Sequence, residues 1–185
     1  MFGPADVLDP PPRRVLVAGP SGSGKTTLAA SIARVAGLRH TEIDALFHGP
    51  DWTELPGFAE DVDAFSSEDR WTTEWQYTGQ LGPLLPSRAD TVVWIDLPAR
   101  VHMGRLVRRT LRRRLRRETL WNGNVEPPLH TVLTDPEHII RWGWRGRRTV
   151  RDRVATVPAA YPHLRIVRLR SQRDVEAWLR TLTRS

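Results

Sequence analysis

Residues 19–26 read Gly19-Pro20-Ser21-Gly22-Ser23-Gly24-Lys25-Thr26, and Lys25 is the only lysine in a chain of 185 residues with 28 basic side chains. The stretch follows RRVLVAG (13–19), a β-branched run that reads as a buried strand. It precedes TTLAASIARVAG (26–37), where Leu28, Ile32 and Val35 recur at helical spacing and Gly37 marks a stop. Strand, glycine-rich turn and helix in that order form the context that the pattern GxxxxGK[ST] requires of a phosphate-binding loop. The glycines let backbone N–H groups curl around phosphate oxygens, and the helix N-terminus adds its partial positive charge. Gly19, Ser21, Gly22, Ser23, Gly24, Lys25, Thr26 and Thr27 are therefore the expected nucleotide-binding residues. Thr26 offers a hydroxyl to Mg²⁺, and Lys25 reaches the β- and γ-phosphates of ATP or GTP as a compact point charge. A guanidinium is wider and prefers in-plane pairing, which accounts for a lysine standing in an otherwise arginine-only chain. The bland alternative is a glycine-rich turn with no ligand, and eight matching positions in the right context count against it.

Outward from this loop the pattern alternates. HTEID (40–44), WTTEWQY (71–77), TVVWIDLP (91–98) and LRIVRLRS (164–171) read as strands. Residues 99–120, 139–157 and 174–182 read as helices, with Val107, Leu111 and Leu115 as a narrow apolar stripe on the first of these. Residues 45–70 suit short helices and loops, and 121–136, with three prolines, suit a loop. Strands separated by helices imply a parallel sheet covered on both faces, an α/β three-layer fold. The domain is expected to run from 13 to 185 behind an irregular lead at 1–12 that contains Pro10–Pro12.

Composition sets limits on function. Hydrophobic content of 39% and charged content of 26% are ordinary for a soluble globular protein. Apolar stretches reach only about five residues, against the roughly 18–20 that span a membrane. The N-terminus lacks a basic start followed by an apolar run, and without cysteine there is no disulfide framework or thiolate metal site. A cytoplasmic location is expected. The net charge of +7 is unevenly spread: no Lys or Arg falls from His40 to Asp69, whereas Arg105 to Arg117 holds arginines and no acid. Such asymmetry fits either a nucleic-acid patch or a cleft with one anion-binding side.

Two aspartates stand at strand ends. Asp96, after VVWI, lies where a phosphate-loop protein places the carboxylate for a magnesium-bound water. Asp44 is expected at the same sheet edge, where it accepts the proton of an acceptor hydroxyl or holds the magnesium shell. Each is also a good helix N-cap. Arg105 and Arg109, spaced i and i+4, share a helix face and reach one polyphosphate together if this helix is a lid. The competing readings are a solvated helix face and a nucleic-acid helix.

GPSGSGKT, EID, the Trp-containing third strand, WIDLP and RLVRRTLRRR together resemble the adenylate-kinase-like P-loop kinases, and within them the DNA topology modulation proteins. The resemblance runs over about residues 13–182. It implies a five-stranded parallel sheet, a phosphoryl-donor site at Gly22–Thr27 and an arginine lid over about 105–150. Arg105 and Arg109 resemble the lid-entry arginines that contact ATP, and Arg145 or Arg148 the later ones. Where the family commonly ends its third strand in Asp-Gly-Asn-Tyr, this chain has Glu74-Trp75-Gln76-Tyr77. The implied activity is ATP- and Mg²⁺-dependent phosphoryl transfer to a small-molecule acceptor. An ATP-binding regulator that contacts nucleic acid is the alternative. In such an arrangement residues 45–70 face the acceptor, and they supply no cation before Arg70. Arg70 and Arg88 could fold back to supply the missing charge; Trp52, Phe58, Trp71 and Trp75 offer an apolar or stacking wall, with core packing the commoner role for any one of them. A neutral or cationic hydroxyl-bearing acceptor is the expectation.

Overall fold

The computed structural model describes residues 1–116, 118–124 and 139–183, with the side chains of 139–145 outside the description. Five strands, β1 (Arg14–Ala18), β2 (Arg39–His40), β3 (Trp71–Glu74), β4 (Thr91–Ile95) and β5 (Arg165–Leu169), form one all-parallel sheet in the order β2-β3-β1-β4-β5. The phosphate-loop strand is therefore central. The helices are α1 (Lys25–Ala36), α2 (Ile43–Phe47), α3 (Phe58–Ser66), α4 (Thr78–Leu81), α5 (Leu84–Arg88), α6 (Ala99–Arg116), α7 (Ile139–Ala160) and α8 (Gln172–Leu182).

Because side chains alternate across a strand, β1 feeds two cores. Val15 and Val17 pack with Leu28, Ile32 and Trp178 under α1 and α8. Leu16 and Ala18 pack with Phe58, Val62, Leu85 and Val154 under α3, α5 and α7. This is the three-layer α/β fold that the alternation of strands and helices implies. The N-terminal lead is tied to it: Phe2 bridges Val167 in parallel beside β5, and Leu8 is buried.

Several elements are shorter than the sequence pattern suggests, and two of the differences shape the site. β2 stops at His40, so Asp44 lies in the first turn of α2 rather than at a strand end. The cause is Glu74, whose carboxylate accepts the Ile43 N–H at 3.2 Å where a ladder carbonyl would otherwise be needed. β3 stops at Glu74, and Tyr77 turns the chain into α4 with a left-handed backbone (φ 51°). On α6 the buried stripe is His102, Leu106 and Thr110; Leu111 and Leu115 are exposed. Residues 125–138, within the expected lid and loop, lie outside the described residues.

Candidate active site

Lys25 opens α1, Glu74 closes β3 and Asp96 follows β4, so all three stand at the carboxyl edge of the sheet. The chain adds β2 and β3 to one side of β1 and β4 and β5 to the other, so β1 is where the strand order reverses. Ligands bind in such crevices. The loop backbone is curled: Gly22 and Gly24 have φ of 79° and 93°, a region open to glycine at little cost. A methyl group at Gly19 would lie 2.5 Å from Ser23 Oγ, so the loop is tight as well as curled. Ser23 Oγ is buried with no partner among the described residues, which leaves a polar atom for a phosphate oxygen to satisfy.

Lys25 is buried, with its ammonium 3.4 Å from the Pro20 carbonyl oxygen. Burial lowers its pKa to about 8; the carboxylates of Asp44 and Glu74 oppose that shift, and the charges of Arg109 and Arg153 add to it. The lysine therefore sits where carboxylates from α2 and β3 meet arginines from α6 and α7. Glu74 was not evident from sequence. It is buried, accepts from His40 Nε2 at 3.3 Å and from the Ile43 N–H, and these bonds outweigh the upward push of burial to leave its pKa low. A third carboxyl, Glu42, accepts from the Trp121 side chain and is raised chiefly by burial.

Asp44 is beside this cluster. Its Oδ1 accepts from Tyr77 O–H at 2.7 Å and from Gln76 Nε2 at 2.8 Å. Asp96 is placed differently: Arg168 donates to its Oδ2 through Nε at 3.0 Å and through a second nitrogen, and Arg147 lies 3.7 Å from Oδ1. Both Arg168 bonds fall on Oδ2, so Oδ1 keeps lone pairs for another donor. Thr26 is half-buried in the first turn of α1, next to Lys25.

The arginine helix lies directly on the loop. A methyl at Gly22 would sit 2.3 Å from the His102 carbonyl oxygen, and one at Gly24 would sit 3.9 Å from the Arg105 guanidinium. Arg105 also donates to Gln172 at 3.2 Å, and the charge of Arg109 is near enough to act on Lys25. Among the later arginines, Arg148 is 92% exposed and pairs with Asp152, whereas Arg147 and Arg153 turn inward. The Arg145 side chain lies outside the described residues. Arg105→Ala and Arg109→Ala are each expected to lower phosphoryl-transfer turnover about ten- to hundredfold. Thermal unfolding should change little for Arg105→Ala, because an exposed charge adds little stability, and more for the half-buried Arg109. Steady-state kinetics beside a melting curve checks this, and normal turnover in both variants would make the run a solvated face.

Of the aromatic residues read as either wall or core, three belong to the core. Trp71, Phe58 and Trp75 are core residues, at most 4% exposed. Near Asp44, Phe47 stacks on Tyr77 at 3.9 Å, and Trp121 stacks on His48 at 5.7 Å. Trp52 is 38% exposed and meets His48 edge-on. Trp121 arrives from the far end of α6 in a short turn (Trp121–Gly123) clamped to residues 48–52. Asn124 donates to the Gly49 carbonyl at 2.8 Å and accepts from the Trp52 N–H at 3.0 Å. Arg70 and Arg88 do not fold back. Arg70 donates to the Ala36 carbonyl at 2.6 Å, and Arg88 to Asp63 and Ser66. A cavity of about 440 Å³ lined by Arg14, Asp69, Arg88, Asp90 and His163 opens at the opposite edge of the sheet. Its arginines are already paired, Arg14 with Asp69 at 2.9 Å and Arg88 with Asp63 at 2.7 Å.

No family model matches the chain, and no curated protein matches it. Among solved structures it resembles a gluconokinase from Sinorhizobium meliloti 1021, with a TM-score of 0.51 and 19% identity over 94% of this chain and 93% of that one. It also resembles shikimate kinase from Aquifex aeolicus vf5 (TM-score 0.50, 14% identity, 90% and 91% of the two chains). The shikimate kinase of Acinetobacter baumannii, solved with shikimate, gives a TM-score of 0.50 at 15% identity over 92% and 90%. Likeness at such identities speaks for architecture: this chain has the fold of the P-loop small-molecule kinases.

Proposed function

We propose that this protein is an ATP- and Mg²⁺-dependent kinase that phosphorylates a hydroxyl group of a neutral or cationic small molecule, such as a nucleoside or an amino alcohol. The observation that carries the proposal is the setting of Lys25, buried in a curled loop between the carboxylates of Asp44 and Glu74 and the charges of Arg109 and Arg153. Gly19, Ser21, Gly22, Ser23, Gly24 and Thr27 cradle the triphosphate beside Lys25. The Thr26 hydroxyl holds magnesium, which when bound neutralises charge on the phosphate oxygens. Asp96 is a candidate for a water of that ion through Oδ1, since both Arg168 bonds fall on Oδ2. Lys25, Arg105 and Arg109 stabilise the charge that spreads over the transferring group. Asp44 accepts the acceptor's hydroxyl proton as that oxygen bonds to the γ-phosphorus. The bond from phosphorus to the β–γ bridging oxygen breaks, and ADP leaves with the electron pair.

The acceptor class rests on where the cations are spent. A monophosphate carries about two negative charges and is held by arginine forks. Arg70 caps the end of α1 and Arg88 anchors α3, while Arg153 is committed to the Trp75 carbonyl at 2.9 Å and lies over the Trp75 ring. Carboxylates and aromatic rings face the acceptor instead. Membership of the DNA topology modulation group and a cytoplasmic location are part of the same proposal, resting on the sequence runs and the cysteine-free composition. The test is side-by-side transfer from ATP–Mg²⁺ to AMP, CMP, UMP, their nucleosides and simple amino alcohols. Transfer to neutral or cationic acceptors is expected; efficient transfer to a monophosphate, with none to the others, would overturn the acceptor class.

A further inference from the structure

Four residues other than glycine have left-handed backbones among the described residues: Asp51 (φ 54°), Trp52 (60°), Tyr77 (51°) and Asn122 (53°). For an L-residue this conformation costs about 1–2 kcal/mol, and bulky side chains rarely adopt it. All four surround His48. Asp51 and Trp52 form the turn whose indole meets the imidazole edge-on at 5.0 Å. The Tyr77 hydroxyl lies 3.0 Å from His48 Nε2, and the Asn122 amide donates to the His48 carbonyl at 2.6 Å. Strain gathered at one place marks a geometry that the surroundings enforce.

The same residues hold a hydrogen-bond chain whose direction follows from its chemistry. Tyr77 has one hydroxyl proton, and it goes to Asp44 Oδ1 at 2.7 Å, because a carboxylate can only accept. The contact with His48 must then use the histidine's proton, so Nε2–H donates to the Tyr77 oxygen. Nδ1 is left bare, and it is buried without a partner among the described residues. Burial lowers the His48 pKa against the pull of Asp44, which keeps the ring neutral. Burial and the Asp44 charge raise the Tyr77 hydroxyl far above its usual range, so it keeps its proton. Gln76 donates to the same Oδ1, and among the described residues nothing donates to Oδ2.

We propose that His48 acts through Tyr77 to position Asp44, the chain running from His48 Nε2–H to Tyr77 O–H to Asp44 Oδ1 and leaving Oδ2 as the atom presented to the acceptor's hydroxyl. The role of Oδ2 rests on the phosphoryl-transfer reading above; the chain itself does not. His48 and Tyr77 are positioning residues. The left-handed turn at Tyr77 has its purpose here, since it takes the chain out of the line of β3 and sets the phenol over α2.

Two measurements on the full chain test this. The first is ¹⁵N NMR of the imidazoles at pH 7 without nucleotide, with His48 identified by its loss in His48→Gln. A neutral Nε2–H tautomer is expected, relaxing toward a mixture in Tyr77→Phe, which keeps the ring stacked on Phe47. A Nδ1–H tautomer or a charged ring in the wild type would overturn the chain. The second is ADP release from ATP–Mg²⁺ with water as acceptor, for the wild type, Tyr77→Phe, Asp44→Asn and the double variant. Tyr77→Phe should lower kcat about tenfold with the KM for ATP unchanged. In the Asp44→Asn background the same change should cost about twofold or less. Losses that multiply would show Tyr77 acting independently of Asp44 and overturn the proposal. If the wild type released no ADP to water, the tautomer would still decide the chain, and the kinase reading would be decided by the acceptor panel above.

Discussion

Lys25→Arg should abolish phosphoryl transfer, lowering kcat/KM by at least about 10²–10³-fold, the scale of losing one transition-state donor. Charge alone would forecast a mild effect. The structure forecasts a severe one for two reasons. The side chain is 9% exposed and its tip is already 3.4 Å from the Pro20 carbonyl, so the wider guanidinium has no room to extend along the loop. Burial also brings the lysine pKa down to about 8, so the empty loop can shed part of that charge. An arginine would remain a permanent cation in the same desolvated place, beside Arg109 and Arg153. Lys25→Ala should be equally inactive but fold normally. Near-normal turnover by Lys25→Arg, on whichever acceptor the panel identifies, would contradict this account of the lone lysine.

Gly22→Ala should remove nucleotide binding while retaining the sheet. At φ 79° an alanine pays a backbone penalty of about 1–2 kcal/mol. Its methyl would also meet the His102 carbonyl oxygen at 2.3 Å and Leu106 Cβ at 2.8 Å. Neither neighbour can give way easily, since both belong to the buried face of α6, and overpacking of this kind costs about 1–3 kcal/mol more. Loop and helix must move apart, which carries Arg105 away from Gly24. A loss of ATP affinity of about a hundredfold is expected, against unfolding in denaturant that keeps its slope. Gly24→Ala is the useful contrast: its methyl meets only the Arg105 tip at 3.9 Å, so the backbone penalty acts alone and the loss should be smaller.

The sequence made the phosphate loop plain because eight contiguous positions carry the whole signal, and the strand and helix on either side carry their own periodicity. The acceptor side was less legible for physical reasons. Glu74 ends the run Trp71-Thr72-Thr73-Glu74, where a carboxylate is ordinary until its contacts with His40 and Ile43 are known. The strained turns fall on Asp, Trp, Tyr and Asn, and none of these signals a left-handed backbone as plainly as glycine does. On α6 the buried stripe carries His102 and Thr110, so apolar periodicity pointed one position along, to Val107, Leu111 and Leu115. In a chain that uses arginine for every basic residue but one, composition could not separate inward Arg147 and Arg153 from solvated Arg148. Asp44 was singled out from a strand end that is in fact a helix start, yet Oδ1 accepts from the two side chains that follow β3.

The central claim is that Lys25 grips the phosphates of a bound nucleotide, and calorimetry of ATP–Mg²⁺ binding from pH 7 to pH 9 tests it most directly. In the free protein Lys25 titrates near 8, and added phosphate charge raises that value in the complex. Binding above pH 8 must therefore take up a proton. Affinity should be flat below pH 8 and weaken by up to about tenfold per pH unit above it, while Lys25→Ala should bind weakly with no such dependence. Wild-type affinity that stays constant from pH 7 to pH 9, or a Lys25→Ala variant that binds as tightly as the wild type, would contradict the account.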